Sequence, residues 1–444
     1  MARIDVLFKS TVISAINAKE RSKWEMSIDG CRRSFGMSVG MHALSRKICR
    51  LTVRCNEFAL IATFLVLSAC AAMPRPERSL DQLLADKKIL IVRQNERFEV
   101  AVDKIVARME MIKSGKASDT AYDVLLLSGG GDWGVFGAAF LIGWLENQDV
   151  PIPEFDYVAG ISTGSLIAAF TFSGEEERFR QMEQFYLAAD ENFVTLGGVF
   201  GLGILPFIRN DAALADASKV EAAVRAAIDD ELVDEILAGS AQNRILAAGA
   251  VNLDMGLFDA FDLGAELERA EDPKERLTKI LLASSAVPAA FPPVEIDGDL
   301  YADGGASVGI PIFRLGMLST VFERWRERHG DAPPQIHFWL IFNNKLGVPP
   351  HVTARGWSDI LLRAYKIALQ TTLVAPLYSL NQAAELAERS SKTSIDLRWV
   401  AIPEGFKEMA ADAAFVPEVM RELSTLGHQM GGDATSWQSE VPEL

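Results

Sequence analysis

Two strand-like segments of this 444-residue chain each run directly into a glycine-rich turn and then into a stretch with helical periodicity. Residues 124–127 (VLLL) precede GGGDWG at 129–134, and residues 155–159 (FDYVA) precede GISTG at 160–164. A run of apolar residues without polar alternation is typical of a strand that is buried on both faces, as in parallel sheets. This repeated strand–turn–helix pattern therefore predicts an α/β fold.

The rest of the chain continues the pattern. Three more segments have the composition of buried strands: residues 244–252, 336–342 and 395–401. Helical segments lie around and between them, at residues 217–238, 264–283, 312–328 and 354–390. Strands that alternate with helices favour a mainly parallel sheet with helices on both faces.

Ahead of this region, apolar residues recur at spacings of three and four in residues 80–113. This periodicity predicts two amphipathic helices. Their apolar faces cover the main domain in the simpler interpretation and bind a partner in the alternative one.

Charge is distributed unevenly. Residues 1–69 carry a net charge of +6, so the −16 of the whole chain leaves −22 on the remainder. A body this acidic repels nucleic acid and gains nothing from anionic headgroups, so charge would hold it to neither. All four cysteines lie in the first seventy residues. The composition therefore excludes a disulfide framework or a cysteine-based metal site in the folded body, and we expect no metal, cofactor or nucleic-acid partner.

The first seventy residues resemble a bacterial lipoprotein signal. Four basic residues within 46–54 precede an apolar run at 58–67, which is too short to span a bilayer but has the length of a signal-peptide core. The run ends in Leu-Ser-Ala-Cys, similar to a lipobox, at Cys70. The resemblance implies cleavage before Cys70, acylation of its thiol and anchoring in a bilayer. The alternative is a buried apolar helix that happens to end in a cysteine.

The flanks of the signal add two expectations. Ala71, rather than an aspartate, follows the cysteine, as in signals that are sorted to the outer membrane of the bacterial envelope. Residues 1–40 fit no targeting pattern, so we expect the protein to begin at Met37 or Met41 and exclude the earlier residues from the fold.

The segment Gly160-Ile161-Ser162-Thr163-Gly164 matches the G-x-S-x-G nucleophile elbow, with a strand before it and a small-residue helix after it. A sharp strand-to-helix turn strains the serine backbone, and Gly160 and Gly164 give room for the turn and for a substrate. Alone, the motif is also compatible with a simple turn.

The segment GGGDWG, which contains Gly129, Gly130, Gly131 and Gly134, offers backbone N–H groups that can converge on an anion. It lacks the Lys-Ser/Thr ending of a phosphate-binding loop, so an oxyanion hole is the better interpretation, with a structural turn as the alternative. Asp303, followed by Gly304 and Gly305, completes the set, because a carboxylate beside small residues could approach the serine hydroxyl.

These motifs in this order, with SSAVPAAFPP at 284–293, resemble the patatin-like phospholipase family over roughly residues 123–345. The resemblance implies a three-layer α/β/α sandwich and hydrolysis of lipid acyl esters without metal or cofactor. It implies that Ser162 is the nucleophile, that Asp303 is the general base and that Gly130 and Gly131 offer the oxyanion N–H groups. We expect the strands that lead to both motifs to end at one edge of the sheet. Residues 251–254 (VNLD) resemble a strand end that borders the family's site.

One position departs from the family pattern: Trp133 stands where a cation is usual. Slow turnover, a preference for neutral esters, or a lapsed enzyme that binds lipid or a partner would each be compatible with this change. A Ser–Asp–His triad is a further alternative, since four histidines follow Asp303: His329, His337, His351 and His428.

The apolar, glycine-rich stretch 192–208 is either a loop packed on the core or a lid that faces the membrane. In total we expect four regions: a signal region at 1–69, a lipidated tether with a helical segment at 70–121, a catalytic domain at 122–405 and a C-terminal helical extension at 406–444.

Overall fold

The computed structural model describes residues 75–189, 193–196, 215–216, 218–288, 290–311, 316–391, 393–406 and 415–442. The signal region with Cys70 lies outside these ranges, as does most of the stretch 192–208. Residues 72–444 form one compact unit.

An eight-stranded sheet forms the centre, in the order β10-β9-β1-β2-β5-β8-β7, with β6 paired to β5. Its strands are β1 (Ala121–Leu127), β2 (Tyr157–Ile161), β5 (Ile245–Asn252), β6 (Leu257–Asp262), β7 (Val294–Ile296), β8 (Asp299–Asp303), β9 (Gln335–Phe342) and β10 (Ile395–Ala401). The five strands from β10 to β5 are parallel, whereas β6, β7 and β8 run antiparallel to their partners. A short two-stranded sheet joins β3 (Thr195–Leu196) to β4 (Ala215–Asp216).

Helices cover both faces of this sheet. They are α1 (Leu80–Lys113), α2 (Gly134–Leu145), α3 (Thr163–Thr171), α4 (Glu176–Leu187), α5 (Ser218–Ala227), α6 (Asp230–Ala241), α7 (Leu263–Arg269), α8 (Pro273–Ser284), α9 (Met317–Arg328), α10 (Trp357–Ser391) and α11 (Pro417–Gly431). Every residue of β1 is buried, and its side chains alternate between two cores. Leu125 and Leu127 join the core under α2, α3, α8 and α11, while Val124 and Leu126 join the core under α1, α9 and α10. The predicted α/β fold, with a central sheet between helical layers, is confirmed.

Several elements differ from expectation. Residues 80–113 form one continuous helix rather than two, which begins at a capping box between Ser79 and Gln82. Conversely, 217–238 and 264–283 each contain two helices. The second helix of each pair begins where an aspartate side chain caps its N-terminus, Asp229 before α6 and Asp272 before α8.

The expected C-terminal extension is part of the fold, because α11 packs on α2 and buries Met420 and Leu423 in the main core. No helix among the described residues is long and apolar enough to cross a membrane.

The ends of two strands meet at β5. β6 pairs with residues 247–252 of β5, so it occupies one edge of that strand. The other edge is shared: β2 pairs with residues 245–249, and β8 pairs with residues 250–252 from the opposite direction. The C-terminal ends of β2 and β8 therefore face each other, with Ile161 opposite Gly249 and Asp303 opposite Ala250.

Candidate active site

Ser162 occupies the turn between β2 and α3 with φ 56° and ψ −130°, a conformation that L-residues rarely adopt. Its backbone is held by other residues: the N–H donates to Ser284 Oγ at 3.0 Å, and the carbonyl accepts from Ser165 Oγ at 2.7 Å. Ser284 Oγ in turn donates to the Gly249 carbonyl at 2.7 Å. The surrounding bonds thus fix a strained serine at the end of a buried strand, as a nucleophile elbow requires.

The glycines of the elbow allow close backbone approach. A Cβ atom on Gly160 would overlap the Gly164 carbonyl, and one on Gly164 would overlap the carbonyls of Leu127 and Ser128. These two glycines therefore bring α3 tightly against the ends of β2 and β1.

Asp303 meets Ser162 where β8 ends. Its carboxylate accepts a hydrogen bond of 2.6 Å from the Gly305 N–H, and Ser162 and Asp303 line the same cavity. Burial raises the pKa of Asp303 to about 6, and the nearby Ser162 hydroxyl and the Gly305 N–H lower it only in part. A carboxylate with this pKa is ionised at neutral pH and is a better proton acceptor than an exposed aspartate.

The glycine that follows Asp303 makes this meeting possible. A side chain on Gly304 would collide with the Gly249 carbonyl on β5 and press against Ile161 on β2. The expectation that both motifs lie at one edge of the sheet needs one correction. β8 is antiparallel, so it reaches the serine head-on rather than alongside β2.

The GGGDWG loop divides into bonded and free donors. The Gly129 N–H donates to the Gly309 carbonyl at 3.0 Å, and the Gly134 N–H donates within the turn to the Gly131 carbonyl. Neither is available to a substrate, which corrects the expectation for these two residues. Among the described residues, none accepts a bond from the N–H of Gly130 or Gly131. These two groups remain as candidate oxyanion donors.

Gly129 and Gly134 have packing roles instead. A Cβ on Gly129 would lie 3.3 Å from Ser162 Cβ, and one on Gly134 would overlap the Thr163 hydroxyl. Both glycines thus let the loop pass close to the elbow.

The sequence analysis did not identify Asn343, which follows β9. It packs against the GGGDWG segment at 129–134, which we call the glycine loop. Its side-chain amide donates to the Ser128 carbonyl at 2.8 Å, and its N–H donates to Ser128 Oγ at 2.8 Å. A Cβ on Gly130 would overlap the Asn343 carbonyl, so the loop lies directly against it. A polar residue directly after a buried apolar strand is the signal that could have indicated this role.

A second missed feature is Pro376, which lies inside α10. Proline has no N–H, so the carbonyl four residues earlier, that of Thr372, has no helical donor. That carbonyl accepts from the Gly309 N–H at 3.0 Å, while the Gly309 carbonyl accepts from Gly129. One proline thereby ties α10 to the glycine loop.

A cavity of about 140 Å³ opens onto Ser162 and Asp303. α10 supplies much of its wall, through Tyr365, Leu369, Thr372 and Leu373. Burial, and then the negative charge of Asp303, raises the pKa of Tyr365, so this phenol stays protonated at neutral pH. The cavity therefore combines apolar walls with a few polar groups at the serine.

The four histidines that follow Asp303 in the sequence do not line the cavity at Ser162. His329 contacts Glu110 at 2.8 Å, His337 contacts Asp123 at 3.0 Å and His428 contacts Glu183 at 2.8 Å. His351 is exposed. The described residues that line the cavity include no histidine. Of the strand end at 251–254, Asn252 donates to Asp299 at 3.0 Å, and none of its residues lines the cavity.

Trp133 is the fifth residue of the GGGDWG segment and is half-buried. Its indole packs edge-on against Phe406 at a centroid distance of 6.0 Å, and the Lys345 ammonium lies 5.7 Å from the ring centre. Lys345 also donates to the Phe406 carbonyl at 2.7 Å. A cation is therefore close to this slot, but it comes from the segment after β9 and is separated from the loop by an aromatic ring.

Residues 125–315 match the model of the family described as patatin-like phospholipase. Among solved structures, the chain is similar to VipD from Legionella pneumophila, with 12% sequence identity, coverage of 72% of this chain and 68% of that one, and a TM-score of 0.32. No curated protein sequence matches the chain.

Proposed function

We propose that this chain cleaves lipid acyl esters with Ser162 as nucleophile and Asp303 as general base. The match of residues 125–315 to the patatin-like phospholipase model, a family of lipid acyl hydrolases, supports this. One observation carries the proposal: a serine in a strained turn shares a cavity with a buried carboxylate whose pKa is raised to about 6. Buried carboxyl groups with perturbed pKa values in clefts are typical of catalytic sites.

In the first half-reaction, Ser162 Oγ attacks the acyl carbonyl carbon while its proton passes to Asp303. The oxyanion that forms accepts hydrogen bonds from the N–H groups of Gly130 and Gly131. Collapse of this intermediate breaks the ester bond, and the leaving alkoxide takes the proton from Asp303. The products are an alcohol and an acyl-serine.

In the second half-reaction, Asp303 accepts a proton from water as the water oxygen attacks the acyl-serine carbonyl carbon. The same two N–H groups stabilise the second oxyanion. Collapse returns the proton to Ser162 Oγ and releases the fatty acid. No histidine takes part in either half-reaction.

The substrate class follows from the walls of the cavity. Apolar side chains of Val287, Leu369 and Leu373 line it beside the dyad, which suits an acyl chain. Trp133 places an uncharged ring in the slot where the family has a cation, so we propose a preference for neutral acyl esters over phospholipids.

We further propose that the protein is a lipoprotein of the bacterial envelope, anchored in the outer membrane through acylated Cys70. The signal-like sequence before Cys70 supports this, because the net charge of −22 on the rest of the chain gives it no overall attraction to an anionic bilayer. Replacing Cys70 by Ala should release the protein from the membrane fraction of cells. A variant that stays wholly in that fraction would refute the anchor.

The decisive test of the enzyme is ester hydrolysis by the purified full-length chain, with wild type beside Ser162→Ala. We expect wild type to hydrolyse medium-chain esters and the variant to lose this activity while it keeps its far-UV circular dichroism. The alternative, favoured by Trp133, is a lapsed enzyme that binds lipid or a partner. Equal background rates for both proteins would select that alternative.

A further inference from the structure

The segment before α10 and the first turns of that helix expose large apolar side chains. Across 352–367 the exposed fractions are 94% for Val352, 73% for Trp357, 53% for Ile360, 60% for Leu361 and 48% for Ile367. Single exposed apolar residues are common on protein surfaces, but a cluster of this kind marks an interaction site. We call residues 350–367 the apolar entry segment.

This segment leads into the catalytic cavity. Leu361, Tyr365, Leu369 and Leu373 are spaced by four residues, so they form one stripe along α10. The first of them is exposed, and the other three line the cavity beside Ser162. The stripe therefore makes a continuous path from the surface to the reacting serine.

The same segment is positively charged. It carries Arg355, Arg363 and Lys366 against a single acidic residue, Asp359, in a chain whose net charge is −16. Basic side chains that alternate with Trp, Leu and Ile are the composition of a helix that lies in a membrane interface, with its apolar residues in the acyl region and its cations at the headgroups.

We propose that the apolar entry segment inserts into an anionic lipid surface and so delivers acyl esters from that surface to the cavity. A lipid surface suits the segment better than a second copy of this acidic chain, because the segment combines positive charge with exposed apolar groups. The delivery of esters rests on the proposed function, whereas the insertion does not.

The position of the segment is fixed relative to the site. The Thr372 carbonyl on α10 is bonded to Gly309, and Gly309 is bonded to Gly129 in the glycine loop. Insertion of the first turns of α10 would therefore hold the mouth of the cavity against the lipid rather than leave it in solution.

The test combines one measurement of insertion with one of turnover. Full-length protein is mixed with vesicles of phosphatidylcholine, with or without phosphatidylglycerol, that contain brominated acyl chains. The fluorescence difference between wild type and Trp357→Phe isolates the signal of Trp357. We expect bromine to quench this signal, and more strongly with phosphatidylglycerol. An unquenched Trp357 in protein that sediments with the vesicles would overturn the proposal.

Turnover is measured on a neutral acyl ester, a triacylglycerol, carried in the same vesicles and on a water-soluble short-chain ester. Ile360→Asp should lower vesicle hydrolysis about tenfold, the effect of some 1.4 kcal/mol of lost apolar burial, and leave soluble-ester hydrolysis unchanged. Leu386→Asp is the matched control. Leu386 is 66% exposed on the same helix, and it lies about 39 Å along the axis from Ile360 at 1.5 Å per residue.

The outcomes separate the two proposals. Equal loss of vesicle activity in Ile360→Asp and Leu386→Asp would overturn the proposal that the apolar entry segment inserts into lipid. So would a wild-type dimer that Ile360→Asp converts to a monomer, because the segment would then contact a second copy. If wild type hydrolyses neither ester but Trp357 is still quenched, the enzyme proposal fails and the lipid-binding surface stands.

Discussion

Two buried carboxyl groups lie at opposite ends of β2, Asp156 just before the strand and Asp303 facing its end. Burial raises the pKa of both. Asp156 is paired with Arg108 at 2.5 Å and accepts a 2.8 Å bond from the Asp123 N–H. The partners of Asp303 are a serine hydroxyl and a glycine N–H. A shifted pKa alone therefore does not distinguish a structural carboxylate from a catalytic one, but the partners do.

The residues around the two ends of β2 differ in the same way as the two carboxyl groups. Near Asp156, Arg244 lies 3.4 Å from Glu154, while Asp123 accepts from Trp339 Nε1 at 2.8 Å. These charges are held by ion pairs and hydrogen bonds that fix the starts of the strands. The other end is built from glycines and small polar residues, which leave one carboxylate to exchange a proton with a substrate.

The largest effect should come from exchanging each carboxylate for its amide. Asp303→Asn removes the base and should lower kcat by about 10⁴-fold without unfolding the protein. Asp156→Asn leaves buried Arg108 with only its 3.2 Å pair to the partly exposed Glu154 and should lower the free energy of unfolding by about 1.5–3 kcal/mol. Turnover per folded molecule should stay near that of wild type. Ester hydrolysis and urea denaturation of both variants measure these quantities.

The two variants control each other, because Asp303→Asn should lose turnover without losing stability, whereas Asp156→Asn should lose stability without losing turnover per folded molecule. If Asp303→Asn kept most of its turnover, the dyad would be wrong. Single alanine replacements of His329, His337, His351 and His428 would then identify a histidine base.

The second prediction concerns the donors at the catalytic end. Gly131 has φ +62° and open space where a Cβ would point, so Gly131→Val strains the backbone without a collision. The resulting shift of its N–H should cost on the order of 10²–10³ in kcat, the effect of one oxyanion donor. Gly115→Val is the matched control, since Gly115 has φ +68° and equally open space after α1. Similar turnover in both variants would remove Gly131 from the site.

The third prediction is a pH dependence that belongs to Asp303. Its folded pKa of about 6 lies above the ordinary 3.8, so between these values the folded protein holds a proton that the unfolded chain releases. Stability contributed by this group is therefore present below pH 4 and lost as the pH rises to 6, by up to about 3 kcal/mol. Asp303→Asn should be more stable than wild type at pH 8, with no such gain at pH 4. Denaturation at both values tests this.

The ionisation of Asp303 also determines how kcat/KM falls at acidic pH, because only the carboxylate can accept the serine proton. kcat/KM of wild type should fall below a pH of about 6. If kcat/KM instead fell near pH 4, the group that titrates would not be Asp303.

The sequence was sufficient for the elements whose signal is local. The parallel strands were predicted within three residues at each end, because a run such as VLLL before a glycine turn is typical of a buried strand. Ser162 and Asp303 were predicted to approach each other from their motifs. The direction of β8 was not, since antiparallel pairing with β5 depends on partners about fifty residues away in the sequence.

Long-range hydrogen bonds explain the remaining errors. All four glycines of GGGDWG were candidate donors. The Gly134 N–H is bonded within the turn to the Gly131 carbonyl, and the Gly129 N–H is bonded to the Gly309 carbonyl. That bond depends in turn on α10, where Pro376 frees the Thr372 carbonyl. No local pattern in the glycine loop contains this information.

The smallest effect we predict tests whether a charge can be added at the catalytic end. Trp133→Arg would give the catalytic end of the sheet a cation, as the opposite end already has in Arg108 and Arg244. A cation gains more from a substrate that carries a phosphate, so hydrolysis of phospholipid should rise relative to that of an uncharged ester. The gain should be only about threefold, because Lys345 already lies against this position and like charges oppose each other. Trp133→Leu is the matched control: it removes the indole without adding charge and should change both rates by the same factor. If Arg and Leu gave the same ratio of the two rates, Trp133 would matter through its packing on Phe406 and not through the headgroup of the substrate.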